Sequence, residues 1–154
     1  MYFEDYEVGM VFDQIEPISF SEEELIEAGK KFDPRLIHID KKAAEESRFG
    51  QIIGPGSYTN MVFWGQWIKT GIDADGVIAG IGVDYAQWLR PVVADVLYTI
   101  KAEVVDKKIR KPGKDGSVAV LVTAYDPEGN EVSKYCGRAL VAYRKDNFKK
   151  NPGK

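Results

Sequence analysis

At 154 residues, with 44% hydrophobic and 29% charged side chains, the chain has the size and composition of one ordinary globular domain. A net charge of -3 at pH 7 argues against a general nucleic-acid surface, which calls for a strongly basic face. No stretch approaches the roughly 20 apolar residues of a membrane span, and the acidic opening MYFEDYEVGM lacks the basic and apolar regions of a signal peptide.

Residues 1–20 carry two short apolar runs, around Val8–Phe12 and Ile15–Phe20, interrupted by Gly9 and Pro17. They read as a lead-in segment with room for one short strand. Ser21 followed by Glu24 is a capping-box pattern, in which hydroxyl and carboxylate each satisfy a free amide at a helix start. Leu25, Ile26, Ala28 and Phe32 then form a helical stripe. Pro34 disfavours helical backbone at Asp33, so the helix is expected to end near Phe32 and leave Asp33 in a loop. Asp40 is a candidate N-cap for a second short helix over Lys41–Ser47. Gly50 to Gly56 reads as a turn. The segment Tyr58–Ile68 holds Met61, Val62, Phe63, Trp64 and Trp67 and no charge, which predicts a helix buried almost all round.

The second half changes character. Val77–Leu89, Asp95–Val105, Ser117–Tyr125 and Glu131–Tyr143 are rich in β-branched and aromatic residues and predict strands. Pro91, the run Lys107–Gly116 and the DPEGN at Asp126–Asn130 supply turns between them. Cys136 is the single cysteine, which excludes an intrachain disulfide and fits a buried structural thiol in a reducing, cytoplasmic setting. The polar, basic tail KDNFKKNPGK is expected to fray. Residues 1–145 therefore read as a single domain and 146–154 as a tail. The order, helices first and then antiparallel strands, predicts an α+β fold with an antiparallel sheet wrapped around a central hydrophobic helix.

The segment FDPRLIHID places Asp33 five residues before His38, the only histidine. On one helix the two side chains would diverge, but in a loop broken by Pro34 they can converge. A carboxylate beside an imidazole can hold a water, one group accepting its proton while the other positions it, and an imidazole titrates near neutrality. Taken alone, such a pair is more often a surface or capping arrangement than a catalytic one. Gly56, in GPGSYT, stands eighteen residues further on at the expected start of the apolar helix. Helix starts expose unpaired amides and a partial positive charge, which suits an oxyanion. The plainer role for Gly56 is to tighten the turn into the core.

Asp33, His38, the following Ile39, Asp40, Ala43 and Ala44, and Gly56 at this spacing resemble the signature of the MaoC-like (R)-specific enoyl-CoA hydratases and dehydratases. The GVDYAQWLRPV run at Gly82–Val92 is also similar to that family's strand leading into an R-P-V turn. The likeness spans roughly residues 3–143. That family's motif reads D-x-N-P-x-H, or D-P-x-P-x-H in its broader dehydratase branch, and the chain departs from it at Arg35, in the Asn position, and Leu36, in the internal proline position, which bears on loop shape and substrate. The resemblance implies a hot-dog fold in which Asp33 and His38 add one water across the double bond of a 2-enoyl thioester, or remove it in reverse. The Gly56 amide would bind the thioester oxygen. Coenzyme A would enter as part of the substrate, with no separate cofactor, and a lone histidine without a neighbouring cysteine argues against zinc. A homodimer or higher homo-oligomer with sites at the subunit junction is implied as well.

Trp64 has two readings, plain core packing or a wall of the acyl pocket that restricts it to short chains. The basic run Lys107, Lys108, Arg110, Lys111 and Lys114 reads as a solvated hairpin or a contact for coenzyme A phosphates. Arg90 is a strand-end residue or a further contact to the same group. Arg35 reads as an exposed arginine or as a partner for a substrate carboxylate. Two rival functions stand beside the hydratase: a hot-dog acyl-CoA thioesterase and a non-catalytic acyl-CoA-binding module.

Overall fold

The computed structural model describes residues 1–144, and the tail expected at 146–154 lies outside the described residues. A 3-10 turn at Phe3–Asp5 precedes strand β1 (Val11–Phe12), the one short strand expected of the lead-in. Helices α1 (Glu22–Phe32), α2 (Leu36–Ile39), α3 (Lys41–Glu46) and α4 (Gly56–Lys69) follow. Four long strands complete the chain: β2 (Val77–Trp88), β3 (Thr99–Lys111), β4 (Asp115–Tyr125) and β5 (Glu131–Ala142). The sheet runs β1-β3-β4-β5-β2, and each neighbouring pair is antiparallel. Helix α4 packs across β3, β4 and β5. This is the α+β hot-dog arrangement, a sheet around a hydrophobic helix.

The local signals act as the residue chemistry dictates. The Ser21 hydroxyl accepts from the Glu24 amide at 3.0 Å. The reciprocal half of the expected box is replaced, because the Glu24 carboxylate accepts from the Tyr58 hydroxyl at 2.9 Å and so ties α1 to α4. Asp40 caps α3 by accepting from the Ala43 amide at 2.8 Å. Cys136 is buried, and that burial pushes its thiol above the ordinary range.

Two expectations need correction. Helix α4 is not buried all round: Met61 and Ile68 are each 44% exposed, while the polar Thr59, Asn60 and Gln66 are buried beside Phe63 and Trp67. Only one face meets the sheet, and position on that face outranks hydrophobicity. The basic run is not a loop either. β3 continues to Lys111 and pairs Lys108 with Ser117 and Ile109 with Gly116, so the turn shrinks to the residues between Lys111 and Asp115. Lys108, Arg110 and Lys111 point to solvent, and a backbone ladder tolerates charges on a wet face.

β2 is an edge strand with register shifts at three places, between Val77 and Ala79, Gly80 and Gly82, and Val83 and Tyr85. Ile78, Ile81, Val83, Tyr85 and Trp88 along it are 41% to 59% exposed. An apolar free edge of this length is a pairing surface.

The two faces of α4 predict unequal effects of truncation. Phe63→Ala is expected to cost about 3–5 kcal/mol through a core cavity, and Met61→Ala about 0.5 kcal/mol. Urea unfolding of both variants checks this, and equal losses would place Met61 in a buried setting.

Candidate active site

The site grows from a helix break. The Asp33 amide still donates to the Gly29 carbonyl at 2.9 Å, but the backbone there has left the helix, and Arg35 after Pro34 is extended. The chain then makes the single turn α2, with His38 on it. His38 therefore lies on a short helix and not in the expected loop, yet the intervening break brings it back to Asp33. Close packing of α1 on α2 depends on Gly29, where an added Cβ would stand 2.9 Å from the His38 Cβ and 2.9 Å from the Ile39 side chain. Nothing in the sequence pattern singled out this glycine, because its neighbours lie on another element.

The His38 side chain is 7% exposed and that of Asp33 is 23% exposed. His38 Nδ1 lies 2.6 Å from the Ile53 carbonyl oxygen. A carbonyl only accepts, so Nδ1 carries the hydrogen and, in the neutral imidazole, Nε2 is left as an acceptor. Nε2 stands 3.4 Å from Asp33 Oδ2. That same Oδ2 accepts from the Arg35 guanidinium at 2.6 Å. Two acceptors cannot bond one another directly, and a water seated beside the pair can donate to each.

The segment carrying Ile53 is pinned on both sides. The Ile53 amide donates to the Ile37 carbonyl at 3.3 Å, and the Gly54 amide donates to the Val92 carbonyl at 2.7 Å. Pro55 then starts α4. The Tyr58 and Thr59 amides donate to the Pro55 carbonyl, whereas those of Gly56 and Ser57 have no intrachain partner among the described residues. Tyr58 holds this helix start against α1, stacking on Phe32 at 6.1 Å as well as bonding to Glu24. Burial first, and then the Glu24 carboxylate, push its phenol up to about 12.

Asp33, His38, Gly56 and Ser57 line one cavity of about 590 Å³, with Trp88 and Arg90 also on its wall. The backbone of Gly56 is not left-handed. What demands glycine there is room, because an added Cβ would meet the Trp88 indole at 2.1 Å. Trp64 is placed elsewhere. Its ring covers Gly137 on β5 and lies 5.2 Å from the Tyr135 ring, so within this chain it packs on the sheet and does not line the cavity. The apolar pattern of α4 could not distinguish the two positions.

Within the basic run, Lys107 and Lys108 have partners in this chain. Lys107 donates to the Tyr6 carbonyl at 2.6 Å and stands over the Phe3 ring, while Lys108 pairs with Asp106 at 3.4 Å. None of that run lines the cavity. Arg90 does, and it also lines an adjoining cavity of about 580 Å³ with Arg48, Asp126 and Glu128. Among the described residues, no cluster of three histidine, cysteine or acidic side chains is placed to hold a metal ion. None of their helices is long and apolar enough to cross a membrane.

A family profile described as "MaoC like domain" matches residues 5–126. The uncharacterised protein YdeM of Bacillus subtilis is 29% identical over 146 residues, covering 94% of this chain and all of YdeM. A MaoC-like dehydratase of Rhodospirillum rubrum superposes with a TM-score of 0.83 at 22% identity, covering 94% of this chain and 98% of its own. An (R)-hydratase of A. caviae involved in PHA biosynthesis superposes at 0.66 with 18% identity, covering 92% of this chain and 99% of its own.

Gly29→Ala tests the packing that carries His38. Alanine favours a helix by about 1 kcal/mol over glycine, but crowding of a packed site costs about 1–3 kcal/mol. Crowding is expected to win, with a lowered melting temperature and a displaced imidazole signal from the chain's single histidine. A more stable variant with an unmoved signal would show that α2 yields freely.

Proposed function

The chain belongs to the MaoC-like domain family, and from that premise we propose that it is an enoyl-CoA hydratase/dehydratase. It adds water with (R) stereochemistry across the double bond of a 2-enoyl-CoA thioester, or removes it from the 3-hydroxyacyl-CoA in reverse. The observation that carries the reading is the pairing of two acceptors, His38 Nε2 and Asp33 Oδ2, 3.4 Å apart beside the free amides of Gly56 and Ser57.

The chemistry follows from that arrangement. A water donating to both acceptors keeps its oxygen lone pairs directed outward, toward the β-carbon of a thioester seated in the cavity. As the carbon–oxygen bond forms, one water proton passes to the pair and the π electrons move onto the thioester oxygen. The Gly56 amide stabilises that enolate-like charge at a helix start. Protonation of the α-carbon in the same cavity returns the proton, so H and OH are added and the pair ends as it began. Arg35 holds the Asp33 carboxylate in orientation. Its guanidinium is already engaged there, so a carboxylate on the substrate would have to compete for it. Coenzyme A is part of the substrate, and the proposal needs no further cofactor.

The free β2 edge supports a homodimer as the working form. Two copies joined through their exposed β2 residues would bury an apolar surface that is otherwise left to water. A cytoplasmic setting, where the lone buried thiol stays reduced, belongs to the same reading.

Incubation with crotonyl-CoA separates hydration from thioester cleavage. The proposal expects the absorbance of the conjugated bond to fall with no free thiol released, whereas thiol release with the double bond intact would assign a thioesterase. Asp33→Asn and His38→Ala are each expected to lower kcat/KM by about 10²–10⁴-fold. Wild-type rates in both would remove the dyad from the mechanism. Sedimentation velocity at micromolar concentration is expected to give twice the 17.3 kDa chain mass, and a monomer would refute the β2 interface.

A further inference from the structure

Trp88 stands at the C-terminal end of β2, far from α4 in sequence, yet its indole is seated on the start of that helix. A Cβ built at Gly56 would lie 2.1 Å from its Nε1, 2.3 Å from its Cδ1 and 2.4 Å from its Cε2. The five-membered ring therefore fills the notch that the absent side chain leaves. The same residue lines the cavity of Asp33 and His38 and remains 59% exposed on its other side. It is thus a large, rigid wall beside the amide that would receive the thioester oxygen. On the far side of Phe49, Ile53 and Pro91, which both cavities share, the adjoining space is lined by Arg48, Gln51, Asp126 and Glu128. Arg48 and Arg90 there are the cations that would meet the phosphate end of a coenzyme A thioester, against the opposing charge of Asp126 and Glu128. The acyl end then lies toward Trp88.

We propose that Trp88 is the residue that limits acyl length, confining the site to short or compact acyl thioesters. The proposal rests on the hydratase reading for the kind of ligand, but not for the chemistry performed on it. Each methylene that finds apolar contact strengthens binding about fourfold. With the indole in place that gain stops after a few carbons, and with the indole removed it continues.

The test measures binding and turnover separately on the full chain. Saturated butyryl-, hexanoyl- and octanoyl-CoA, which cannot be hydrated, are titrated by calorimetry against wild type, Trp88→Phe and Trp88→Ala, with Trp88→Leu as a second enlarging variant should alanine impair folding. Hydration of crotonyl-CoA and 2-octenoyl-CoA is followed in parallel. The expected result is that octanoyl-CoA binds wild type no better than butyryl-CoA. Trp88→Ala or Trp88→Leu should raise the octanoyl-to-butyryl affinity ratio at least tenfold, with the octenoyl-to-crotonyl kcat/KM ratio rising in step, and Trp88→Phe should lie between. A wild type that prefers octanoyl-CoA, or an unchanged ratio in a folded Trp88→Ala, would overturn the proposal. A wild type that hydrates nothing, while the binding ratio still shifts, would remove the hydratase reading and support Trp88 as the wall. No acyl-CoA binding by wild type would overturn both.

Discussion

His38 Nδ1 lies 2.6 Å from the carbonyl oxygen of Ile53, and this contact couples parts of the chain that share no secondary structure. It selects the tautomer, so that Nε2 faces Asp33 as an acceptor. It ties α2 to the segment that enters α4, whose own amides are held by Ile37 and Val92. His38 and the unpartnered amides of Gly56 and Ser57 are therefore held in one frame. An imidazole that is 7% exposed can be kept in that frame because its buried nitrogen is satisfied.

Glycine and large aromatic residues share the remaining work. Gly29 lets α2 approach α1, Gly56 lets the Trp88 indole rest on the start of α4, and Gly137 lets Trp64 lie flat on β5. In each case the neighbour occupies the space a side chain would take, and a Cβ would come within 2.9 Å of it. The consequence for function is spatial. Of these three pairs only Gly56 and Trp88 both line the cavity of Asp33 and His38, where the indole takes the room a side chain would need.

The departures from the family motif read differently once the geometry is known. Arg35 turns back on Asp33 and bonds the same oxygen that faces His38, while Leu36 opens α2 and is 60% exposed. Neither displaces the dyad. Arg35 lies on the cavity wall as a cation whose charge Asp33 already balances, and Leu36 does not line the cavity.

What could be read from the chain alone was short-range. Ser21 and Asp40 announced helix starts through their own hydroxyl and carboxylate, and Pro34 announced the break that sets Asp33 and His38 together. Alternating β-branched residues announced the strands, and Asp33, His38 and Gly56, picked out together by the family resemblance, line one cavity. Each of these helix, turn and strand signals depends on neighbours a few positions away. The tertiary structure decided which face of α4 is hidden, that β3 runs on through Lys111, and that within this chain Trp88 lines the cavity while Trp64 packs on the sheet. Burial is a relation between distant segments, and a tryptophan on an apolar helix looks the same whether it meets a sheet or a substrate.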